Sequence, residues 1–89
     1  MTINITRKDT EMEFTIDAQM LNERETAHRY LAEVFSFPDY YGKNLDALYD
    51  CLSEMNIEKI HIINEDKAEY YFYSVLDVIN DLDIDIVSE

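Results

Sequence analysis

Chain breakers are scarce here: the 89 residues include one glycine, one proline and one cysteine, and no tryptophan. So few breakers predict a chain held mostly in regular helices and strands. A single glycine also excludes a glycine-rich phosphate loop, which needs several positions without a side chain against the anion. The lone Cys51 cannot close an internal disulfide, and this favours a reducing cytoplasm. Basic residues are few as well, with seven Lys and Arg against twenty Asp and Glu, for a formal charge of −13. Such a surface repels phosphate, so direct contact with nucleic acid or an anionic membrane is disfavoured, and a basic protein is the natural complement. Residues 1–8 contain no apolar run of the kind a secretion signal needs, and no later stretch is apolar for long enough to cross a bilayer.

An apolar content of 47% is enough to support a core, so residues 1–89 are expected to form one ordered domain despite the charge. Ile3 and Ile5, then Met12, Phe14 and Ile16, alternate with polar residues. This predicts two short strands in a hairpin, the earlier one an addition at the N-terminus. Asn22, three residues before Glu25, resembles the start of a capping box, and Ala27, Tyr30, Leu31, Val34 and Phe35 recur as one helical stripe. That helix must stop near Phe37, because the residue before Pro38 is forced out of the α region. After a loop over residues 38–43, Asn44 is a good N-cap for a second helix with Leu45, Leu48, Leu52 and Met55 facing inward. The β-branched run around Ile60, Ile62 and Ile63 predicts a buried strand. A third helix, capped by Asn64 or Asp66, carries the stripe Ala68, Tyr71, Phe72, Val75, Ile79 and Leu82, and residues 83–87 alternate as a last strand. Strands separated by helices favour an α/β fold with a parallel sheet.

Catalysis finds little support in the residues. His28 and His61 have no partner at ligand spacing, and Cys51 lies near the apolar face of a helix, so all three are expected to be structural. No metal and no cofactor is expected. The second helix is more informative. With its leucines inward, Asp46, Tyr49, Asp50 and Ser53 fall on the opposite side at i, i+3, i+4 and i+7, one continuous acidic stripe with an aromatic in it. A solvated helix face would account for the acids, but a tyrosine gains nothing from standing in water. Tyr40 and Tyr41 precede the same helix, and tyrosine supplies stiff contact area with a polar tip. The pattern leaves two readings, a solvated acidic face with an incidental tyrosine and a binding face with an aromatic anchor and acids aimed at a cationic site.

Residues 38–52, Pro-Asp-Tyr-Tyr-Gly-Lys-Asn-Leu-Asp-Ala-Leu-Tyr-Asp-Cys-Leu, closely resemble the barstar signature P-E-Y-Y-G-x-N-L-D-A-L-W-D-C-L. Fifteen consecutive positions hold two conservative changes and one free position. The similarity extends back to about Phe14 and resumes at residues 74–78 and in the final strand, leaving residues 1–11 outside it. The resemblance implies a barstar-like α/β domain, with a three-stranded parallel sheet packed against three main helices. It implies a monomeric inhibitor, not an enzyme, which blocks a small basic guanyl-preferring ribonuclease of the secreted type inside the producing cell. Its implied contact residues are Tyr40, Tyr41, Gly42, Asn44, Asp46, Tyr49, Asp50 and Asp81, with Asp50 in the place of a substrate phosphate and Tyr49 in the place of an anchoring tryptophan.

The chain departs from the signature just beyond it. Glu54 and Met55 stand where the family has a glycine and a second tryptophan, and the connection from Ile63 to the third helix is shorter. These changes fall where partner choice is decided. They leave open an alternative of the same fold, an immunity or adaptor protein for a different basic partner.

Overall fold

Ile16, Ile60 and Ile62 are sealed from solvent, whereas Glu13 and Thr15 are exposed and Lys59 and His61 are half-buried. This alternation reflects a sheet with one face in the core and one open. The computed structural model describes residues 12–89. Its elements are β1 (Met12–Asp17), α1 (Arg24–Phe35), α2 (Leu45–Ser53), β2 (Ile57–Ile63), α3 (Tyr70–Asp81) and β3 (Asp85–Ser88), with 3₁₀ turns at Ala18–Leu21 and Glu65–Lys67. The earlier strand expected around Ile3 and Ile5 lies outside the described residues.

The three strands are parallel in the order β1-β2-β3, with Phe14 opposite Ile60 and Ile60 opposite Ile86. Joined by the right-handed crossovers usual for parallel strands, this order places the helices on one face. The strand around Ile60 is therefore buried on one side only, and Ile63, expected in the core, is half-buried. Leu31 of α1, Leu48 and Leu52 of α2, and Phe72, Val75 and Ile79 of α3 close over Ile16, Ile60 and Ile62. Each comes from a predicted apolar stripe, so helical periodicity fixes which faces meet.

The helix starts are less local than expected. Glu23, not Asn22, precedes α1 as its cap, and its side chain makes no capping bond. Asn22 instead accepts a hydrogen bond from the Glu69 N–H at 2.6 Å and donates to the Lys67 carbonyl at 3.0 Å. It thus supplies in trans the cap that α3 lacks. That helix begins at Tyr70 rather than just after Asn64 or Asp66, because Asn64 turns left-handed (φ 57°) into the separate 3₁₀ turn.

On the open face, His61 Nε2 lies 2.9 Å from Glu13 Oε1, and Nδ1 lies 2.5 Å from Glu89 Oε2. Hydrogen bonds to Glu13 first and Glu89 second favour the imidazolium and raise its pKa above the ordinary 6.5, while the bond to His61 lowers that of Glu13. For His61, the stabilisation is full below the unfolded value and fades as pH rises through the raised one. For Glu13 it is lost as pH falls through the lowered carboxyl value. His28 is fully buried, and burial, then the Arg24 charge, lowers its pKa. An NMR titration of the two imidazoles is therefore expected to show His61 titrating above 6.5 and His28 below it. The reverse order would contradict both environments.

Candidate functional site

Helix α1 ends at Phe35, two residues before the position Pro38 would force, because Ser36 adopts a left-handed conformation (φ 57°). The Ser36 N–H closes on the Ala32 and Glu33 carbonyls, and the Phe37 N–H on the Ala32 carbonyl at 2.9 Å. This left-handed cap turns the chain sharply into the loop. A second turn, with the Tyr41 N–H on the Pro38 carbonyl at 3.0 Å, then sends the two adjacent tyrosines in different directions.

Tyr40 is 86% exposed, whereas Tyr41 is buried at 6%. Tyr41, expected among the contact residues, is thus an anchor in the core. Its hydroxyl lies 2.6 Å from Nδ1 of His28, and Nε2 of His28 lies 2.7 Å from the Tyr71 hydroxyl. In the neutral imidazole one nitrogen donates and the other accepts, so one tyrosine receives a proton bond and the other gives one. The rings of Phe14, Phe35, Phe37 and Tyr41 continue the chain of contacts, with successive centroids 4.6, 5.5 and 4.7 Å apart. An aromatic series thus ties β1, α1, the loop and α3 together beneath Tyr40. Tyr41→Phe keeps the ring contacts but leaves a buried imidazole nitrogen without its partner. A loss of about 1–3 kcal/mol is expected in urea unfolding. A loss below about 0.5 kcal/mol, the size of an ordinary surface change, would show the bond to be dispensable.

Asn44 begins α2 as expected, its Oδ1 accepting from the Ala47 N–H at 2.7 Å. The one glycine, Gly42, sits in a close approach to α2 and not in a left-handed turn. A Cβ there would meet the Ala47 Cβ at 3.3 Å, while the left-handed residue is its neighbour Lys43 (φ 59°). With Leu48 and Leu52 buried, Asp46, Tyr49, Asp50 and Ser53 are exposed on the outer face, as are Gly42 and Asn44 in the approach to it. Tyr49 retains 42% of its surface. Among the described residues, neither Asp46 nor Asp50 has a basic side chain within ion-pair distance. Asp81 is exposed at the last position of α3, on a separate element from the other contact candidates.

Between the loop and the C-terminal half of α2 lies a cleft of about 450 Å³. Phe35, Phe37, Pro38 and Met55 give it apolar walls, and Tyr40, Asp50, Cys51 and Glu54 give it polar ones. The structure thus brings Tyr40 and Asp50 to one opening, together with Glu54 and Met55, which depart from the family just beyond the signature. Burial raises the Cys51 thiol pKa, and the charges of Glu54 and Asp50 raise it further. The cleft is acidic, since Asp50 and Glu54 are its charged lining residues. No helix among the described residues is long and apolar enough to cross a membrane.

The architecture defines a small α/β domain built on a three-stranded parallel sheet, with an acidic helix turned outward. Residues 11–84 match the family described as Barstar (barnase inhibitor). The chain belongs to that family. It is also 50% identical over 38 residues to a Bacillus subtilis (strain 168) protein named "Putative ribonuclease inhibitor YrdF". That match covers 43% of this chain and 42% of the relative, so the two correspond over less than half of either length.

Proposed function

We propose that this protein is an intracellular inhibitor of a small basic ribonuclease, acting in the cytoplasm as a monomer and catalysing no reaction of its own. In this reading, Tyr40, Asp46, Tyr49 and Asp50 cover the enzyme's active site, with Gly42 and Asn44 shaping the approach and Asp81 contributing from α3. One observation carries the reading: among the described residues Asp46 and Asp50 have no basic partner, and they stand beside exposed tyrosines on a surface hydrogen-bonded from below through Tyr41, His28 and Tyr71.

A ribonuclease site binds an anionic phosphate with convergent cationic donors. A carboxylate fixed on a helix satisfies those donors and offers no bond to cleave. Asp50 takes the phosphate's place, Asp46 pairs with a neighbouring cation, and the Tyr40 and Tyr49 rings exclude water around them. The two histidines need no catalytic role, since each already has two hydrogen-bonding partners within the fold. Glu54 and Met55 in the cleft favour a cognate enzyme whose surface differs there from that of barnase.

The test is inhibition of barnase and of further small guanyl-preferring ribonucleases, at low and at moderate salt. Stoichiometric inhibition of at least one, with association slowed by salt, is expected. Inhibition of none, alongside capture of a basic protein without nuclease activity, would favour the immunity or adaptor reading.

A further inference from the structure

A chain with twenty acids and seven bases has every opportunity to pair its cations, yet three of them gather in one hollow. Arg24, Arg29 and Lys43, three of the five basic residues in the described part of the chain, line a pocket of about 320 Å³ together with Glu25. The buried layer brings them there: Tyr41, two residues before Lys43, is hydrogen-bonded to His28, the residue before Arg29. Burial first and the Arg24 charge second lower the His28 pKa, so Arg24 lies close to the same bond. Among the described residues, none of the three cations has an acid within ion-pair distance, although Glu25 and Glu33 stand four residues to either side of Arg29. Such i, i+4 pairs are the ordinary way for a helix to neutralise a cation. Arg24 is also the first residue of α1, where the helix dipole disfavours positive charge, and the cap residue Glu23 makes no side-chain capping bond there. Lys43 stands at the free position of the signature, so the family pattern does not call for a cation at that point.

We infer that this pocket binds a phosphate dianion, free or as the end of a small phosphate ester, with the Arg24 and Arg29 guanidinium groups and the Lys43 ammonium donating to its oxygens. Three cations and one acid leave two positive charges in the lining, which matches a phosphate group's charge of about −1.5 to −2. A carboxylate would neutralise only half of it. Guanidinium and ammonium groups are also the usual donors to phosphate oxygens. The volume exceeds that of phosphate alone and lies at the lower end of the range for ligand pockets, about 300–1,000 Å³, which leaves room for a short organic group. All four lining residues are charged, so the pocket offers no ring or apolar wall to a nucleobase or to the stem of a protein side chain. A long nucleic acid is disfavoured by the overall charge of −13. The lining includes none of the residues proposed to meet the ribonuclease, so the inference stands apart from the inhibitor reading.

The experiment is an NMR titration of this protein alone, at constant ionic strength, with inorganic phosphate, with glycerol 3-phosphate and with acetate. Both phosphates are expected to give saturable amide shifts confined to residues 24–29 and 42–44, and acetate none that saturate. A stronger response to glycerol 3-phosphate assigns the site to phosphate esters, and an equal or weaker one assigns it to free phosphate. Lys43→Gln and Arg29→Gln, both at exposed positions, are each expected to weaken phosphate binding by about two- to fivefold, the size of one exposed ion pair. Lys67→Gln, at an exposed position outside the pocket, is expected to leave it unchanged. An acetate response equal to that of phosphate, shifts that never saturate, or binding indifferent to Lys43 and Arg29 would overturn the inference and leave only diffuse screening. Because no ribonuclease is present, a silent pocket leaves the inhibitor reading intact.

Discussion

Replacing Asp50 with alanine is expected to weaken inhibition of the target ribonuclease by roughly 30- to 4,000-fold, or about 2–5 kcal/mol. That range is the general cost of truncating one partner of a buried charge pair at an interface, a principle for which the family's own barnase–barstar complex is a worked example. The physical cause is the set of cations left behind. An enzyme site that has given up its water to meet Asp50 would keep its basic side chains buried without an anion. The loss should appear mainly as faster dissociation, since removing one acid leaves most of the parent's charge of −13 to steer encounter. Asp50 is exposed, with no basic partner among the described residues, so the folded inhibitor itself is expected to keep its stability. Unaltered inhibition by Asp50→Ala, measured as an inhibition constant, would remove the phosphate mimic from the mechanism.

The largest effect on stability is expected at Phe72, the bulkiest side chain fully enclosed in the core, at 1% exposure. It lies on α3 and closes over the isoleucines of β1 and β2. Truncation to alanine removes an aromatic ring and leaves a cavity that the surrounding helices can refill only in part. A loss of about 3–5 kcal/mol is expected. Domains of this size have only several kcal/mol of stability in total, so Phe72→Ala should be substantially unfolded at 37 °C. Circular dichroism of the variant against temperature gives the result directly. A melting curve like that of the parent would mean that α3 is not integral to the core.

Elements with a clear apolar period were legible in advance because periodicity alone decides which side of a helix or strand is buried. The stripe of α2 shows this, with Leu48 and Leu52 inside and Asp46, Tyr49 and Asp50 outside. Contacts between distant segments left no such trace. Asn22 suits a local helix cap by residue type and spacing, yet its side chain serves the start of α3 forty-seven residues later. His28 is buried between two tyrosines, but nothing in its sequence neighbourhood points to those partners, 13 and 43 residues away. Tyr40 and Tyr41 look equivalent as a pair. The turn closed by the Pro38 carbonyl separates them, because adjacent residues in a tight turn cannot both face the same partner. The cleft was equally hidden. Glu54 and Met55 stand out as departures from the family just beyond the signature, and only the fold brings them to Tyr40 across the loop.

The central claim is that Asp50 occupies the phosphate position of a ribonuclease. Competition tests it most directly: the affinity of this protein for the enzyme it inhibits, measured against increasing guanosine 3′-monophosphate. If the carboxylate and the phosphate share one set of cations, the apparent dissociation constant should rise in proportion to nucleotide concentration, and Asp50→Ala should blunt the rise. An affinity indifferent to saturating nucleotide would show that the two bind at separate places, and would contradict the account.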